Sequence, residues 1–230
     1  MLDLQGFGPA LIEGAWMTVR LSLAAVALGL VLGLLGASAK ISGSLLLRGI
    51  GTFYTSVVRG VPETLWVLMA YFGTVSTMNW LGNHFGYPYL TLSPFLAGTL
   101  ALALCFGAYA TEVFRGALLA IPPGQKEAGQ ALGMSPLRIF WRITLPQLWR
   151  VALPGLGNLY LILLKDTALV SLITLDEIMR KAQVAGQATR EPFTFYFAAA
   201  LIYLALTAVI MVALHWFERR ANRGFVRTEL

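Results

Sequence analysis

Long apolar runs without charged residues constrain this chain more than any other feature. The run from Phe193 to Phe217 contains no Asp, Glu, Lys or Arg; it begins after Pro192 and ends at Glu218. A helix needs roughly 20 apolar residues to cross a bilayer core of about 30 Å, and this run is long enough. Similar runs recur in a chain that is 57% hydrophobic and only 12% charged. The sequence therefore predicts an all-α integral membrane protein.

Five transmembrane helices are predicted within a single domain that covers 1–230. Their approximate ranges are 15–39, 64–81, 93–111, 148–168 and 193–217. The first range ends in Ala37-Ser38-Ala39, which resembles a signal-peptide cleavage site. Acidic residues precede it, however, and its apolar run is too long for a typical signal peptide, so we expect it to remain as a span.

The first span also carries small residues at every fourth position, which are Ala25, Gly29, Gly33 and Ala37. Such a face lets two helix backbones approach closely in a membrane. The partner could be a helix of the same chain or of another subunit. Packing within the chain is the favoured interpretation.

Positive charge predicts the orientation. With an external N-terminus, the cytoplasmic segments would hold twelve Lys and Arg residues: Lys40, Arg48, Arg59, Arg115, Lys126, Arg138, Arg142, Arg150, Arg219, Arg220, Arg223 and Arg227. The external segments would hold five: Arg20, Lys165, Arg180, Lys181 and Arg190. This asymmetry favours an external N-terminus and a cytoplasmic C-terminus. Because the basic residues lie between apolar runs, the net charge of +6 does not predict nucleic-acid binding.

The fourth span is interrupted by Lys165-Asp166. Two explanations remain open. Lys165 could extend to the membrane interface where the span ends, or the helix could break beside a solvated translocation pathway. Asp166 could then meet a cationic substrate, whereas Lys165 would repel it unless its side chain turned away.

Catalytic and metal-binding signals are lacking. Cys105 is the only cysteine, and His84 and His215 are isolated, so neither a disulfide nor a metal site is expected. The sequence has no Gly-x-x-x-x-Gly-Lys-Ser/Thr motif for ATP phosphates, and no nucleophile–base pair is visible. We therefore predict no cofactor on this chain, and we rank a membrane enzyme last.

The loop at 121–146, between the third and fourth spans, has the pattern of two short helices. Its first part, 125–132, is rich in helix formers and stops at Gly133, which can adopt the left-handed conformation. Ser135 can cap the second helix and Pro136 can begin it. Pro146 then predicts a break or kink. The pattern indicates a stiff, exposed helix pair on the cytoplasmic side.

This loop resembles the EAA loop of ABC-importer permeases, in which Glu-Ala-Ala, three residues, Gly and nine residues precede Ile-x-Leu-Pro. Here Glu127-Ala128 is followed by Gly129 in place of Ala, then by Gly133, and 143–146 reads Ile-Thr-Leu-Pro. In that family the loop forms coupling helices that sit in a groove of a cytoplasmic ATPase. The resemblance implies the following coupling residues: Gln125, Glu127, Ala128, Gly129, Leu132, Gly133, Ser135, Pro136 and Arg138.

Other stretches resemble the polar amino-acid branch of these permeases. They are Arg59-Gly60-Val61-Pro62 and the ranges 109–116, 153–158 and 164–171. The likeness is greatest to the Q-type subunits of histidine, lysine, arginine and ornithine importers, which implies a basic amino-acid substrate. The candidate pathway residues lie in these ranges: Asp166, Lys165, Asn158, Thr167 and Glu112. Glu112 can also pair with Arg115 at i,i+3, and a structural ion pair is the favoured interpretation.

The resemblance further implies a multi-pass protein of the bacterial inner membrane, surrounded by lipid. Its partners would be a second permease chain, identical or homologous, two ATP-binding subunits that hold ATP and Mg, and a periplasmic or extracellular substrate-binding protein. The alternatives are a secondary transporter or channel, or a permease for another polar amino acid such as glutamine or glutamate. Secondary transporters commonly contain internal repeats, and this sequence shows no clear repeat.

Overall fold

The computed structural model describes residues 4–86 and 92–222, in which every regular element is helical. The α-helices are α1 (Gly8–Lys40), α2 (Leu45–Gly60), α3 (Glu63–Leu68), α4 (Thr74–Phe85), α5 (Pro94–Leu119), α6 (Gly124–Ala131), α7 (Pro136–Ile139), α8 (Leu145–Asp166), α9 (Ile178–Thr189) and α10 (Pro192–Ala221). A π segment, Met69–Gly73, joins α3 to α4, and another, Phe140–Thr144, joins α7 to α8. A 3-10 segment, Thr167–Ile173, follows α8. The predicted all-α class is confirmed.

Among the described residues, four helical stretches are long and apolar enough to cross a membrane: α1, α5, the stretch Pro136–Ile173, and α10. They overlap the predicted first, third, fourth and fifth spans. The predicted second span lies in the helical stretch from α3 to α4, which is more polar and includes Asn79, Asn83 and His84. Arg223 and Arg227, used above to predict the orientation, lie outside the described residues. Five spans and their orientation stay predictions.

The small-residue face of α1 packs against α5 within the chain. A Cβ atom added at Gly33 would lie 2.7 Å from the Cβ of Ala110, and one added at Gly29 would lie 2.6 Å from a ring carbon of Phe106. Ala25 and Ala37 are fully buried on the same helix. Because backbone and side chain already occupy this space, the structure confirms packing within the chain for this face.

Glu177 links three helices, α1, α9 and α10, on the predicted external side. Its carboxylate accepts hydrogen bonds from the backbone N–H groups of Met179 (2.9 Å) and Arg180 (2.8 Å), and so caps α9. The hydroxyl of Tyr203 in α10 donates a third hydrogen bond to this carboxylate, at 3.1 Å. A Cβ atom added at Gly14 would lie 3.1 Å from the Glu177 backbone, so α1 also contacts this point directly.

Candidate functional site

One wall of the site is formed where the helix breaks between α2 and α3. α2 ends at Gly60, and Pro62 directly precedes Glu63, the first residue of α3. Proline disfavours a helical conformation for the residue before it, which explains why α2 stops here. The break leaves the carbonyl oxygen of Val58 without a helical N–H donor. The indole N–H of Trp66 donates a hydrogen bond to this oxygen instead, at 3.2 Å.

Glu63 is held against α5 by Tyr109. The hydroxyl of Tyr109 donates a hydrogen bond to the carboxylate of Glu63 at 3.1 Å. The guanidinium of Arg59, in the last turn of α2, lies 5.1 Å from the centre of the Tyr109 ring, which is a cation–π distance. Sequence reasoning missed Glu63, although a carboxylate directly after the Arg-Gly-x-Pro sequence was a usable signal.

The opposite wall is the end of α8, where three consecutive side chains diverge. Asp166 lines a cleft with Glu63. Lys165 lines a different cleft, beside α10. Thr167 is fully buried, and its hydroxyl donates to the carbonyl oxygen of Leu164 at 2.6 Å. The helix tightens into a 3-10 segment after Asp166 instead of opening, and Lys165 is turned away from the cleft that Asp166 faces.

The cleft between these walls, called the acidic cleft below, is narrow, with a volume of about 20 Å³. Besides Glu63 and Asp166, it is lined by Leu102, Cys105, Phe106, Tyr109, Leu159, Ile162 and Leu163. Two carboxyl groups in largely apolar surroundings favour a cationic partner, because no lysine or arginine is among the described residues that line this cleft. Within residues 4–86 and 92–222, no group of three or more His, Cys, Asp or Glu side chains could hold a metal ion.

Asn158 lies outside the lining of the acidic cleft. It is exposed on α8, eight residues before Asp166 and four before Ile162. Residues four apart share a helix face, so Asn158, Ile162 and Asp166 lie along one face of α8. Ile162 and Asp166 line the cleft, and Asn158 lies beyond it on the same face.

Glu112 belongs to a cluster of charged residues that links α1, α2 and α5. Its carboxylate pairs with the ammonium of Lys40, and with the guanidinium of Arg115 at 2.9 Å. Lys40 also donates to the hydroxyl of Thr55 at 2.8 Å. The predicted ion pair between Glu112 and Arg115 is therefore present, and Lys40 is an additional partner that sequence reasoning missed. Two cations already compensate the charge of Glu112.

The segment that resembles the EAA loop forms two helices joined at Gly133. This glycine has a φ of +70°, in the left-handed region. Its N–H donates to the carbonyl oxygen of Gln130 at 2.9 Å, and the N–H of Met134 donates to that of Gly129 at 3.0 Å, which closes α6. The hydroxyl of Ser135 accepts a long hydrogen bond, 3.4 Å, from the N–H of Arg138 in α7. The local conformations expected for this loop are thus present.

The same segment exposes apolar side chains. Leu132 is 81% exposed and Leu137 is 68% exposed. The other exposed residues of the predicted coupling set are Gln125, Glu127, Ala128, Gly133, Ser135, Pro136 and Arg138. Gly129 is buried instead, and a Cβ atom at this position would lie 3.0 Å from both Ile139 and Ile143. A glycine in place of the usual alanine therefore fits a close contact between α6 and the following helix.

The kink predicted at Pro146 takes the form of the π segment Phe140–Thr144, which ends two residues before this proline. Proline lacks an N–H and its ring crowds the carbonyl group four residues earlier. The widened turn accommodates that conflict without ending the helix.

Taken together, a bundle of apolar helices with an acidic cleft inside it, and an exposed helix pair at one end, defines an integral membrane component of a transport system. The chain belongs to the family of binding-protein-dependent transport system inner membrane components, which matches residues 26–223. It is thus a multi-pass permease subunit of the inner membrane, and ATP hydrolysis belongs to partner subunits. This membership confirms the resemblance and excludes the alternative of a secondary transporter or channel.

Individual relatives match over nearly the whole chain. The octopine transport system permease OccQ of Rhizobium meliloti is 44% identical, over 98% of each chain. The histidine/lysine/arginine/ornithine transport system permease HisQ of Escherichia coli is 38% identical, over 99% of this chain and 100% of HisQ. A crystal structure of an amino acid ABC transporter with histidines matches with a TM-score of 0.76 and 33% identity, over 92% of this chain and 94% of the other.

Proposed function

We propose that this chain is the permease subunit of an ABC importer for basic amino acids, and that Glu63 and Asp166 bind the positive charge of the substrate. The observation that carries the proposal is the acidic cleft, whose described lining contains two carboxyl groups and no lysine or arginine. The similarity to permeases named for histidine, lysine, arginine and ornithine supports the same substrate class.

The other candidate pathway residues take different roles in this proposal. Asn158 extends the face of Asp166 along α8 and contacts the substrate after it leaves the acidic cleft. Lys165 and Thr167 face α10 and stay out of the pathway. Glu112 holds Lys40 and Arg115 together and stabilises the junction of α1, α2 and α5.

The proposed topology has five spans, an external N-terminus and α6 and α7 in the cytoplasm. The break between α2 and α3 then directly precedes the second span and adjoins the acidic cleft, as expected where irregular backbone lines a translocation pathway. Single cysteines introduced at Gln125 and Gln187, in a Cys105→Ser background, test the orientation. A membrane-impermeant thiol reagent added outside intact cells labels position 187 but not 125; the reverse pattern would overturn the orientation.

The proposed assembly contains two permease chains, identical or homologous, two ATPase subunits and an external binding protein. The exposed residues Leu132 and Leu137 provide apolar contacts for an ATPase groove. The closed turn at Gly133 keeps this helix pair stiff, so that movement of the ATPase is transmitted to the spans.

The substrate class is tested with the complete complex in lipid vesicles. We expect unlabelled lysine, ornithine and histidine to reduce ATP-dependent uptake of labelled arginine, whereas glutamine and glutamate leave it unchanged. Equal competition by glutamine or glutamate would contradict the proposed specificity, and uptake without ATP would contradict the proposed assembly.

A further inference from the structure

Lys165 faces a second cleft, separate from the acidic cleft that Asp166 lines. This Lys165 cleft is lined by Lys165, Ala168, Met179, Tyr196, Ala200 and Tyr203, and its volume is about 360 Å³. Its floor is apolar, and its polar groups are one ammonium and two phenol hydroxyls. Across residues 4–86 and 92–222, no carboxyl group lines it.

Two of these polar groups are available to a ligand. In the part of the chain that the structure describes, the ammonium of Lys165 forms no hydrogen bond or ion pair, and the hydroxyl of Tyr196 forms no hydrogen bond. Tyr196 is 42% exposed, and Lys165 is exposed as well. Tyr203 differs, because its hydroxyl already donates to the carboxylate of Glu177. The free donors therefore lie at the mouth of the cleft.

The depth of the cleft follows from the length of α10. Its 30 residues span about 45 Å at 1.5 Å per residue, whereas a hydrocarbon core is about 30 Å thick. A helix of this length that is centred on the core extends into the headgroup region at both ends, so that the first turn of α10 lies there. Tyr196 is the fifth residue of this helix and Ala200 the ninth. The mouth of the cleft thus lies at headgroup level, and its apolar floor continues into the hydrocarbon core.

We propose that the Lys165 cleft binds an anionic phospholipid. The ammonium of Lys165 and the hydroxyl of Tyr196 bind the lipid phosphate, and the acyl chain lies along Ala168, Met179 and Ala200. Lysine at an interface attracts anionic headgroups, and tyrosine is favoured at the same level. A second permease chain is the competing occupant, but an unpaired ammonium without a facing carboxyl group fits a phosphate better than an apolar protein surface.

The test measures lipid retained by the complex purified from membranes, for three variants. Lys165→Gln should weaken binding of phosphatidylglycerol roughly fivefold, because one lysine near a charged membrane surface contributes about that much. Lys165→Arg should keep the lipid. Arg190→Gln removes an exposed cation from the same side of the chain, outside the cleft, and should have no effect. Equal retention in Lys165→Gln and the unaltered complex would overturn the proposal.

Two further measurements separate the possible occupants. Added phosphatidylglycerol should raise the melting temperature of the delipidated complex, and it should do so less in Lys165→Gln; phosphatidylcholine and inorganic phosphate should have little effect. An equal shift with inorganic phosphate would show that the acyl chain is not recognised and would overturn the lipid assignment. A disulfide between two permease chains that carry Tyr196→Cys in a Cys105→Ser background would also overturn it, because a second chain would then cover the cleft.

Discussion

Gly33 illustrates how strongly single residues determine the packing of α1 on α5. The nearest atoms to a Cβ at this position are the Cβ of Ala110 at 2.7 Å and the backbone carbon of Ala110 at 3.2 Å. Neither atom belongs to the flexible end of a side chain, so a larger residue can be accommodated only if the helices separate.

We therefore expect Gly33→Val to destabilise the protein by about 1–3 kcal/mol, the usual cost of overpacking a core. The matched control is Gly49→Val, because a Cβ at Gly49 meets no atom of the described residues within 4 Å. Both changes replace a helical glycine with the same residue. The measurement is the melting temperature of the purified complex, and equal shifts for the two variants would contradict the close α1–α5 contact.

Glu177 is a second residue with a large local effect. It is fully buried, and burial raises the pKa of its carboxyl group from 4.5 to about 7, although the N–H donors of Met179 and Arg180 act in the opposite direction. The folded protein therefore binds more protons than the unfolded chain between these two values. As a result, the free energy of unfolding falls as the pH rises through this window.

Replacing Glu177 by glutamine removes this titration and retains an oxygen that accepts hydrogen bonds. We expect the melting temperature of the unaltered complex to fall more steeply between about pH 5 and about pH 8 than that of Glu177→Gln. Glu13→Gln, at a residue whose side chain is 75% exposed, serves as the control and should keep the unaltered slope. Identical slopes for Glu177→Gln and the unaltered complex would count against the buried carboxyl group as the cause.

At the scale of elements, most helices could be predicted from the sequence because their signals are local. Long charge-free runs indicate α1, α5 and α10, and the Gly133, Ser135 and Pro136 sequence indicates where α6 ends and α7 begins. The π segment Met69–Gly73 and the 3-10 turn after Asp166 could not be predicted, because no proline or other local signal marks them, whereas Pro146 predicted the kink at the other π segment. For the same reason, the second predicted span was not recognised as interrupted.

The turn between α6 and α7 provides a test of coupling. Proline cannot adopt the φ of +70° found at Gly133, whereas asparagine tolerates the left-handed region. We expect Gly133→Pro to lower arginine uptake per ATP hydrolysed, with the chain still inserted in the membrane, and Gly133→Asn to remain close to the unaltered complex. The ratio of uptake to ATP hydrolysis in vesicles checks this. An unaltered ratio in Gly133→Pro would contradict the coupling role.

At the scale of the whole molecule, the acidic cleft is assembled from distant parts of the chain. Glu63 follows the break after α2, Tyr109 lies on α5, and Asp166 ends α8. Asp166 could be selected from the sequence because a charge interrupts an apolar run. Glu63 could have been selected because it follows Arg-Gly-x-Pro, but a single sequence does not reveal that it faces Asp166. The direction of Lys165 was also unpredictable, since neighbouring residues on a helix point to different sides and either one could have faced the cleft.

The most direct test of the central claim is ATP-dependent arginine uptake by the reconstituted complex that carries Glu63→Gln, Asp166→Asn or both. Loss of a charged partner costs about 1.5–3 kcal/mol, so each change should weaken uptake at subsaturating arginine roughly tenfold or more. Basal ATP hydrolysis should persist, and Glu13→Gln should transport normally. Unaltered arginine uptake in the double variant would contradict the assignment of the acidic cleft as the site that binds the substrate cation.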